Sequence, residues 1–492
     1  MPLIQPNLSA PITSARWQQV EATFQQIWGY QSFRPPQGEI VRSLLQGQDA
    51  VVVMPTGGGK SICFQLPALL SQGLTLVISP LVALMENQVD ELRQRQLPAA
   101  TLHGELSKRS RWQTLRDLEQ QRLRLLYLSP ETLLSPAVWE RLCHPALRIN
   151  GLVLDEAHCL VQWGDTFRPA YQRLGAVRPA LLAQRPGTQI AIAAFTATAD
   201  PKAIECLKTT LQLRQPQVVQ INPHRANLHL AVQPVWTPRD RYHRLLKGLN
   251  SRGDQAGLVY VRTRQDSEKL AASLKKQGFC CAAYHAGLAP ERRRQLEADW
   301  IADRLQFVVS TSAFGMGINK PNCRWVIHFQ APGLLSEYVQ EVGRAGRDGH
   351  PARTLTLVSE RTGWLDNTDQ QRAQYFDQRQ EKIRQSAQRL ARQLPKQGTV
   401  AEVSSFQHGA IALAYLHRTG QLQWLDPFTY QLMPKLYKNP LPAAKGYQQM
   451  QTYLHSRQCR WQHLLNQFGF QPIARQMAQQ TGGCGRCDNC QR

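Results

Sequence analysis

The chain of 492 residues carries 58 Lys and Arg against 35 Asp and Glu, a net charge of +23 with 19% of residues charged. With 42% apolar residues it has enough to build large cores, which excludes an intrinsically disordered chain and a small disulfide scaffold and asks for three or four domains. The basic excess comes from scarce acids and points to a polyanionic partner, because side chains that neutralise phosphates release condensed counter-ions.

The start, MPLIQPNLSAPITSARW, lacks the continuous apolar run of a secretory signal, so a cytoplasmic chain is expected, with residues 1–25 a short flexible extension. The most apolar stretch, Leu66 to Met85, is broken by Pro67, Gly73 and Pro80 and reads as helix, turn and strand; no membrane association is expected. From Asp49 onward, DAVVVM, LTLVIS, LRLLYLS, GLVLDE and QIAIAAFTA alternate with helical or polar segments, the pattern of a parallel sheet. It restarts with GLVYV, CCAAYH, LQFVVST and CRWVIHF after INPHRAN, which reads as a hinge. The expected organisation is therefore one α/β lobe over 26–222, a second over 223–360, and a mainly helical region over 361–492. Within the last, SSFQHGAIALAYLHRTGQLQWLDPFTYQL has the outline of a small winged-helix unit, and Trp424, Phe428 and Tyr430 are candidates to stack on a base pair.

MPTGGGKS, Met54 to Ser61, sits between a strand and a helix. Its backbone N–H groups at Thr56, Gly57, Gly58 and Gly59 can approach phosphates, Lys60 adds charge for the β- and γ-phosphates, and Ser61 can ligate Mg²⁺. Met54 stands where the strict motif has its first glycine. Asp155 and Glu156 close a predicted strand, where open α/β sheets bind ligands; Asp155 would hold Mg²⁺ and Glu156 would deprotonate the attacking water. In QEVGRAGRDG, Arg344 and Arg347 would share one face of a helical turn, as a clamp on a γ-phosphate should, although taken alone such a basic repeat equally suits an RNA-binding or surface patch. Cys484, Cys487 and Cys490 have CxxCxxC spacing, which suits tetrahedral zinc or an iron–sulfur cluster.

The ordered set FRPPQ, MPTGGGKS, SPLVALMENQV, DEAH, QWGDTFRPAY, FTATA, YHAGL, FGMGINKPN and QEVGRAGRDG resembles the superfamily 2 helicases, and among them the RecQ DNA helicases, from about Phe24 to Glu360 and again at the terminal cysteines. The resemblance implies two tandem RecA-like lobes followed by a four-cysteine zinc module, ATP bound by the lobes, and 3′-to-5′ movement on single-stranded DNA. It places adenine recognition on Tyr30, Arg34 and Gln37, and catalysis on Lys60, Asp155, Glu156, Gln340, Arg344 and Arg347. Thr196 and Thr198 would link hydrolysis to movement, and Thr311, Gly315, Met316, Gly317 and Asn319 would line the second lobe's side. DNA contact would fall on Ser79, Trp163, Phe167, Arg168, Tyr171, Arg264 and His285, where aromatic faces and an Arg plane stack unpaired bases.

Two departures stand out. Asp165-Thr166 replace the family's His-Asp and Ala170 its Glu, which puts an acid in the aromatic loop. The resemblance makes Cys459 the fourth zinc ligand, but the step to Cys484 is long, leaving His455 and His463 as substitutes. The sequence ends two residues after Cys490, so a strand-separating element is expected before the zinc module. The expected cofactors are ATP, Mg²⁺ and Zn²⁺; the expected partners are single-stranded, forked or branched DNA, with single-strand-binding and recombination proteins implied by the resemblance. An RNA helicase and a DNA-binding scaffold with a weakly coupled ATPase are the alternatives, the second opposed by the intact Lys60, Asp155, Glu156, Gln340, Arg344 and Arg347.

Overall fold

The computed structural model describes residues 13–161, 168–314, 318, 320–360, 362–403, 405–406, 408–433, 442–480 and 482–491. They belong to two compact units, one of Met1–Met54, Gly58–Ile221 and Gln380–Leu441, the other of Pro55–Gly57, Asn222–Arg379 and Pro442–Arg492.

The first unit is built on seven strands: β1 (Ala50–Val53), β2 (Leu74–Ile78), β3 (Ala99–Leu102), β4 (Leu125–Leu128), β5 (Ile149–Leu154), β6 (Ala191–Thr196) and β7 (Gln217–Gln220), in the order β3-β4-β2-β5-β6-β1-β7. Every neighbouring pair is parallel. Strands covered on both faces need unbroken apolar runs, and AVVV, LTLVI and LLYL are buried at every position. One face carries Val51, Ile78, Leu128 and Leu154; the other carries Val52, Val77, Tyr127 and Phe195, with Phe64 of the helix Lys60–Leu70 edge-on to Phe195 at 5.2 Å. Each such side chain contributes about 1.5–3 kcal/mol by leaving water.

The N-terminal expectation is corrected in part. Ser14–Trp28 is a helix, capped by the Thr13 hydroxyl and ended by Gly29, with Val20 and Phe24 buried against Val41, Leu45 and Leu66. Its apolar residues recur at helical spacing, and burying them holds residues that the sequence assigned to a flexible extension.

The second unit has six parallel strands: β8 (Leu228–Val235), β9 (Gly257–Tyr260), β10 (Cys281–Tyr284), β11 (Phe307–Ser310), β12 (Trp325–His328) and β13 (Ala352–Ser359), in the order β10-β11-β9-β12-β13-β8. The helices Pro442–His455, Arg460–Gln467 and Gln471–Gln479 join it, burying Tyr453, Trp461 and Leu464 in the same core as Leu228, Tyr338 and Val342.

The region 361–492 is thus divided. Between the parts that join the second unit, a three-stranded antiparallel sheet, β14 (Gln397–Thr399), β15 (Leu422–Trp424) and β16 (Thr429–Leu432) in the order β14-β16-β15, packs with the helices Val400–Val403 and Gly409–Arg418 and belongs to the first unit. This is the element order of a small winged-helix unit. Its aromatics face inward: Trp424 and Tyr430 are buried, and Phe428 lies edge-on to Trp139 at 5.4 Å, so none is presented for stacking on a base pair. No helix among the described residues is long and apolar enough to cross a membrane.

Candidate nucleotide and nucleic-acid sites

After β1 the chain turns through Gly57 and Gly59, both left-handed (φ 84° and 81°), into the helix Lys60–Leu70. Glycine is required at 59: a Cβ there would lie 2.3 Å from Gln37 Nε2. Thr56, Gly58 and Ser61 are half-buried and Gly57 is exposed. Lys60 is buried, and its Nζ folds back to donate to Met54 O at 3.1 Å. Backbone N–H groups, a helix N-terminus and an ammonium at one turn make an anion cradle. Gln37 is tied to this turn, its Nε2 donating to Gly58 O at 2.9 Å while its Oε1 accepts from Arg34 N at 3.0 Å. Arg34 and Tyr30 are exposed, Tyr30 at 52%, leaving an aromatic face open to a base.

The carboxylates lie at the same sheet edge. Asp155 and Glu156 are buried where β5 ends. Burial and the Glu156 carboxylate push the Asp155 carboxyl up to about 6, against the pull of the Lys60 ammonium. Asp155 Oδ2 accepts from Gln88 Nε2 at 3.2 Å and Oδ1 from Glu156 N at 3.0 Å. Glu156 adopts φ 51°, a left-handed conformation that costs a non-glycine residue about 1–3 kcal/mol and clusters at functional sites. Its Oε2 meets His158 Nδ1 at 3.1 Å, and that nitrogen lies 3.3 Å from Thr196 Oγ1, which accepts from Thr198 N. Burial lowers the His158 pKa, but the neighbouring Cys159 and Glu156 outweigh it and hold the pKa well above its ordinary value.

Gln88 escaped the sequence reading. It stands on the buried stripe Leu84, Met85, Val89, Leu92 of the helix Val82–Gln94, where the period calls for an apolar residue, and that break was the available signal.

In the second unit, Gln340 lies in the last turn of the helix Leu335–Val342, and the two arginines follow that helix. They do not share a helical face: the helix stops at Gly343, and Gly346 at φ 59° turns the chain between them. Arg344 is buried, and Arg347 Nη1 donates to Ile318 O at 2.8 Å. Burial, reinforced by Arg344, lowers the Arg347 pKa to about 10. The turn is braced by INPHRAN: Arg225 donates to Gly343 O at 3.0 Å and to Gly346 O, and Asn227 Nδ2 to Gly346 O and His350 O, both at 2.8 Å. The segment read as a hinge thus also supports the arginine turn.

The nucleic-acid candidates fall on both units. In the first, Ser79 is buried at the end of β2, and Arg168 Nη1 pairs with Glu131 at 3.1 Å. Tyr171 is fully buried among Leu160, Leu174 and Val177, so it packs in the core where the sequence expected base stacking; aromatic spacing alone does not say which way a ring points. Trp163, Phe167 and the Asp165-Thr166 departure lie outside the described residues, as do Gly315, Met316, Gly317 and Asn319. In the second unit, exposed Arg264 and buried His285 converge on Gly287, where a Cβ would lie 2.9 Å from Arg264 Nη1 and 3.2 Å from His285 Nδ1. His285 Nε2 faces Glu268 at 2.8 Å.

Cys459, Cys484, Cys487 and Cys490 bring their sulfurs within 4.8 Å of one another, without His455 or His463. A zinc ion with Zn–S bonds of about 2.3 Å sets its four sulfurs about 3.8 Å apart, and Cys484 and Cys490 stand at 3.8 Å. Arg460 N and Arg486 N donate to the sulfurs of Cys487 and Cys484, at 3.4 and 3.3 Å, as suits thiolates. Gly483 closes the cradle, since a Cβ there would lie 2.7 Å from Cys490 Sγ. The donor set fits zinc.

Two parallel α/β units, the first with a lysine-bearing glycine turn beside a carboxylate pair and the second with an arginine-bearing turn, define the class of two-lobed helicase motors. Family profiles agree: DEAD/DEAH box helicase matches residues 34–207, the helicase conserved C-terminal domain 240–349, and RecQ zinc-binding 439–491. The ATP-dependent DNA helicase RecQ of Synechocystis sp. is 52% identical over 96% of this chain and 98% of its own length. That of Pasteurella multocida is 38% identical over 67% of this chain, which spans half of that longer relative. Among solved structures, the DUF1998 helicase MrfA bound to DNA shares the fold, with a TM-score of 0.60 at 18% identity over 90% of this chain and 66% of that one. The chain belongs to the RecQ family of ATP-dependent DNA helicases.

Proposed function

We propose that the chain couples ATP hydrolysis to 3′-to-5′ movement along single-stranded DNA and so unwinds or remodels duplex, forked and branched DNA in recombination and repair. It would act in the cytoplasm, at the nucleoid in a bacterial cell, beside single-strand-binding and recombination proteins. The observation that carries this reading is the convergence of buried Lys60, Asp155 and Glu156 on one sheet edge.

In this reading Tyr30 and Arg34 receive the base, and Gln37 fixes the phosphate turn from beneath through Gly58. The N–H groups of residues 56–59 and the Lys60 ammonium hold the β- and γ-phosphates. The Ser61 hydroxyl and Asp155 carboxylate are hard oxygen donors suited to Mg²⁺, which would supply positive charge to the phosphate oxygens. A Glu156 carboxylate oxygen accepts the proton of the attacking water, and His158 at its Oε2 steadies that carboxylate and links it to Thr196. Gln340, Arg344 and Arg347 would bind the charge that develops on the γ-phosphoryl group. Arg264 and His285, with Ser79, Arg168, Trp163 and Phe167, would follow the DNA strand, and Cys459, Cys484, Cys487 and Cys490 would hold a Zn²⁺ that supplies folding free energy.

Strand displacement on 3′-tailed, 5′-tailed and forked DNA, with matched RNA, tests the reading. Unwinding of 3′-tailed and forked DNA is expected; a preference for 5′ tails, or equal activity on RNA, overturns polarity or substrate class.

A further inference from the structure

The winged-helix insert is anchored beside the carboxylates. The helix Gly409–Arg418 buries Ala412, Leu413 and Leu416 and ends on two polar residues that face Gln172 and Leu160 of the same unit. His417 Nδ1 lies 3.3 Å from Gln172 Oε1, and the other end of that amide, Nε2, donates to Leu160 O at 2.8 Å. Arg418 Nη1 donates to the same Leu160 carbonyl at 3.3 Å. Arg173, next to Gln172, reaches Pro427 O at 3.2 Å, and Phe428 is edge-on to Trp139. Burial lowers the His417 pKa to about 4, so at neutral pH the imidazole is an uncharged hydrogen-bonding group fixed in place.

Leu160 belongs to the helix His158–Val161, four residues long. A helix so short has little stability of its own, and its position depends on what it is tied to. Its first residue is His158, which meets Glu156 Oε2 at 3.1 Å and Thr196 Oγ1 at 3.3 Å. A single residue, Cys159, therefore separates the carbonyl gripped by Arg418 and Gln172 from the imidazole that faces the catalytic carboxylate.

We infer that the insert is a strut for hydrolysis, in which His417 and Arg418 are positioning residues that fix the helix His158–Val161 through Leu160 O and Gln172, and thereby orient Glu156. The inference rests on the reading of Glu156 as the group that accepts the proton from water. Apolar packing alone would dock the insert, as Phe428 on Trp139 already does. The polar pair instead spends its hydrogen bonds on the two segments that bear on the carboxylate, and a misplacement of about 1 Å at such a group can lower a rate about 100-fold.

The test uses the full zinc-loaded chain with the paired substitution His417→Phe and Arg418→Met, which preserves bulk and removes the hydrogen bonds, beside His417→Asn and Arg418→Lys, which retain donors. Two readouts are taken: ATPase kcat and KM, and hydrogen exchange of the amides in residues 155–161. In the Phe/Met variant, exchange at 158–161 is expected to rise about tenfold and kcat to fall about tenfold or more with KM within twofold, while the Asn/Lys variant returns toward wild type. Unchanged exchange at 158–161, or kcat within twofold of wild type, overturns the strut. A general rise in exchange across the first unit, unrescued by Asn/Lys, overturns it as well by reducing the pair to ordinary docking. Absence of ATP turnover in the wild-type chain would instead defeat the reading of Glu156, and exchange at 158–161 would still decide the strut.

Discussion

Arg262 and Glu341 meet as a two-pronged ion pair, Nη1 to Oε1 at 2.9 Å and Nη2 to Oε2 at 2.7 Å, inside the second unit and one residue from Gln340. His328 Nε2 approaches Glu341 Oε2 at 3.0 Å. Burial works against the charge on Glu341, but Arg262 and His328 outweigh it and bring the carboxyl down to about 2. Because the folded value is depressed, this stabilisation is present above the unfolded value near about 4.3 and is lost as pH falls toward about 2. Glu341→Gln leaves a buried guanidinium without its counter-charge and is expected to destabilise the fold by about 3–5 kcal/mol in denaturant unfolding, with much of the loss recovered in Glu341→Gln/Arg262→Met. Equal stability of Glu341→Gln and wild type at pH 7 would refute this.

Lys60→Ala and Glu156→Gln should each lower ATP turnover by about 10²–10⁴ while leaving single-stranded DNA affinity within a few-fold, since one removes phosphate charge and the other the proton acceptor. Steady-state ATPase and DNA-binding titrations check both halves. Turnover within a few-fold of wild type in either variant removes that residue from the site.

Because Asp155 holds its proton up to about pH 6, a divalent cation must displace that proton at lower pH. The Mg²⁺ concentration for half-maximal ATPase should be flat above about pH 6 and rise about tenfold per pH unit below it. A half-saturation value that does not change between pH 5 and pH 7 would show that Asp155 is not a metal ligand.

One zinc per chain should copurify and depart from Cys487→Ser, in which the buried member of the sulfur cluster is replaced by a weaker ligand. Elemental analysis decides it; stoichiometric iron with visible absorbance, or full zinc in that variant, speaks against four-cysteine zinc.

What the sequence disclosed follows from what local chemistry can encode. Strands such as AVVV and LTLVI were legible because a sheet covered on both faces leaves no room for polar positions. The lysine turn and the cysteine trio were legible because glycine and thiolate spacing carry their own geometry. The arginine turn was misplaced onto a helix because nothing around Gly346 announces its left-handed backbone. Tyr171, Trp424 and Phe428 looked available because an aromatic residue reads the same in a core and on a surface. The grip of His417 and Arg418 on Gln172 and Leu160 joins residues far apart in the chain, which no periodicity records.

The cysteine cradle also changes what the second sheet shows to its surroundings. β8 is the outermost strand of that sheet, and its free side is met by the cradle's own backbone: Leu230 N donates to Arg486 O at 3.1 Å, and Asp488 N to Leu230 O at 3.0 Å. An uncovered strand is a template for pairing with another chain. Residues 486–488 meet β8 at Leu230 between the sulfurs of Cys484 and Cys490, so a zinc ion that gathered the sulfurs would also keep this part of the sheet margin closed. Loss of the ion would then be felt first as self-association through an opened β8, with the two α/β sheets still folded.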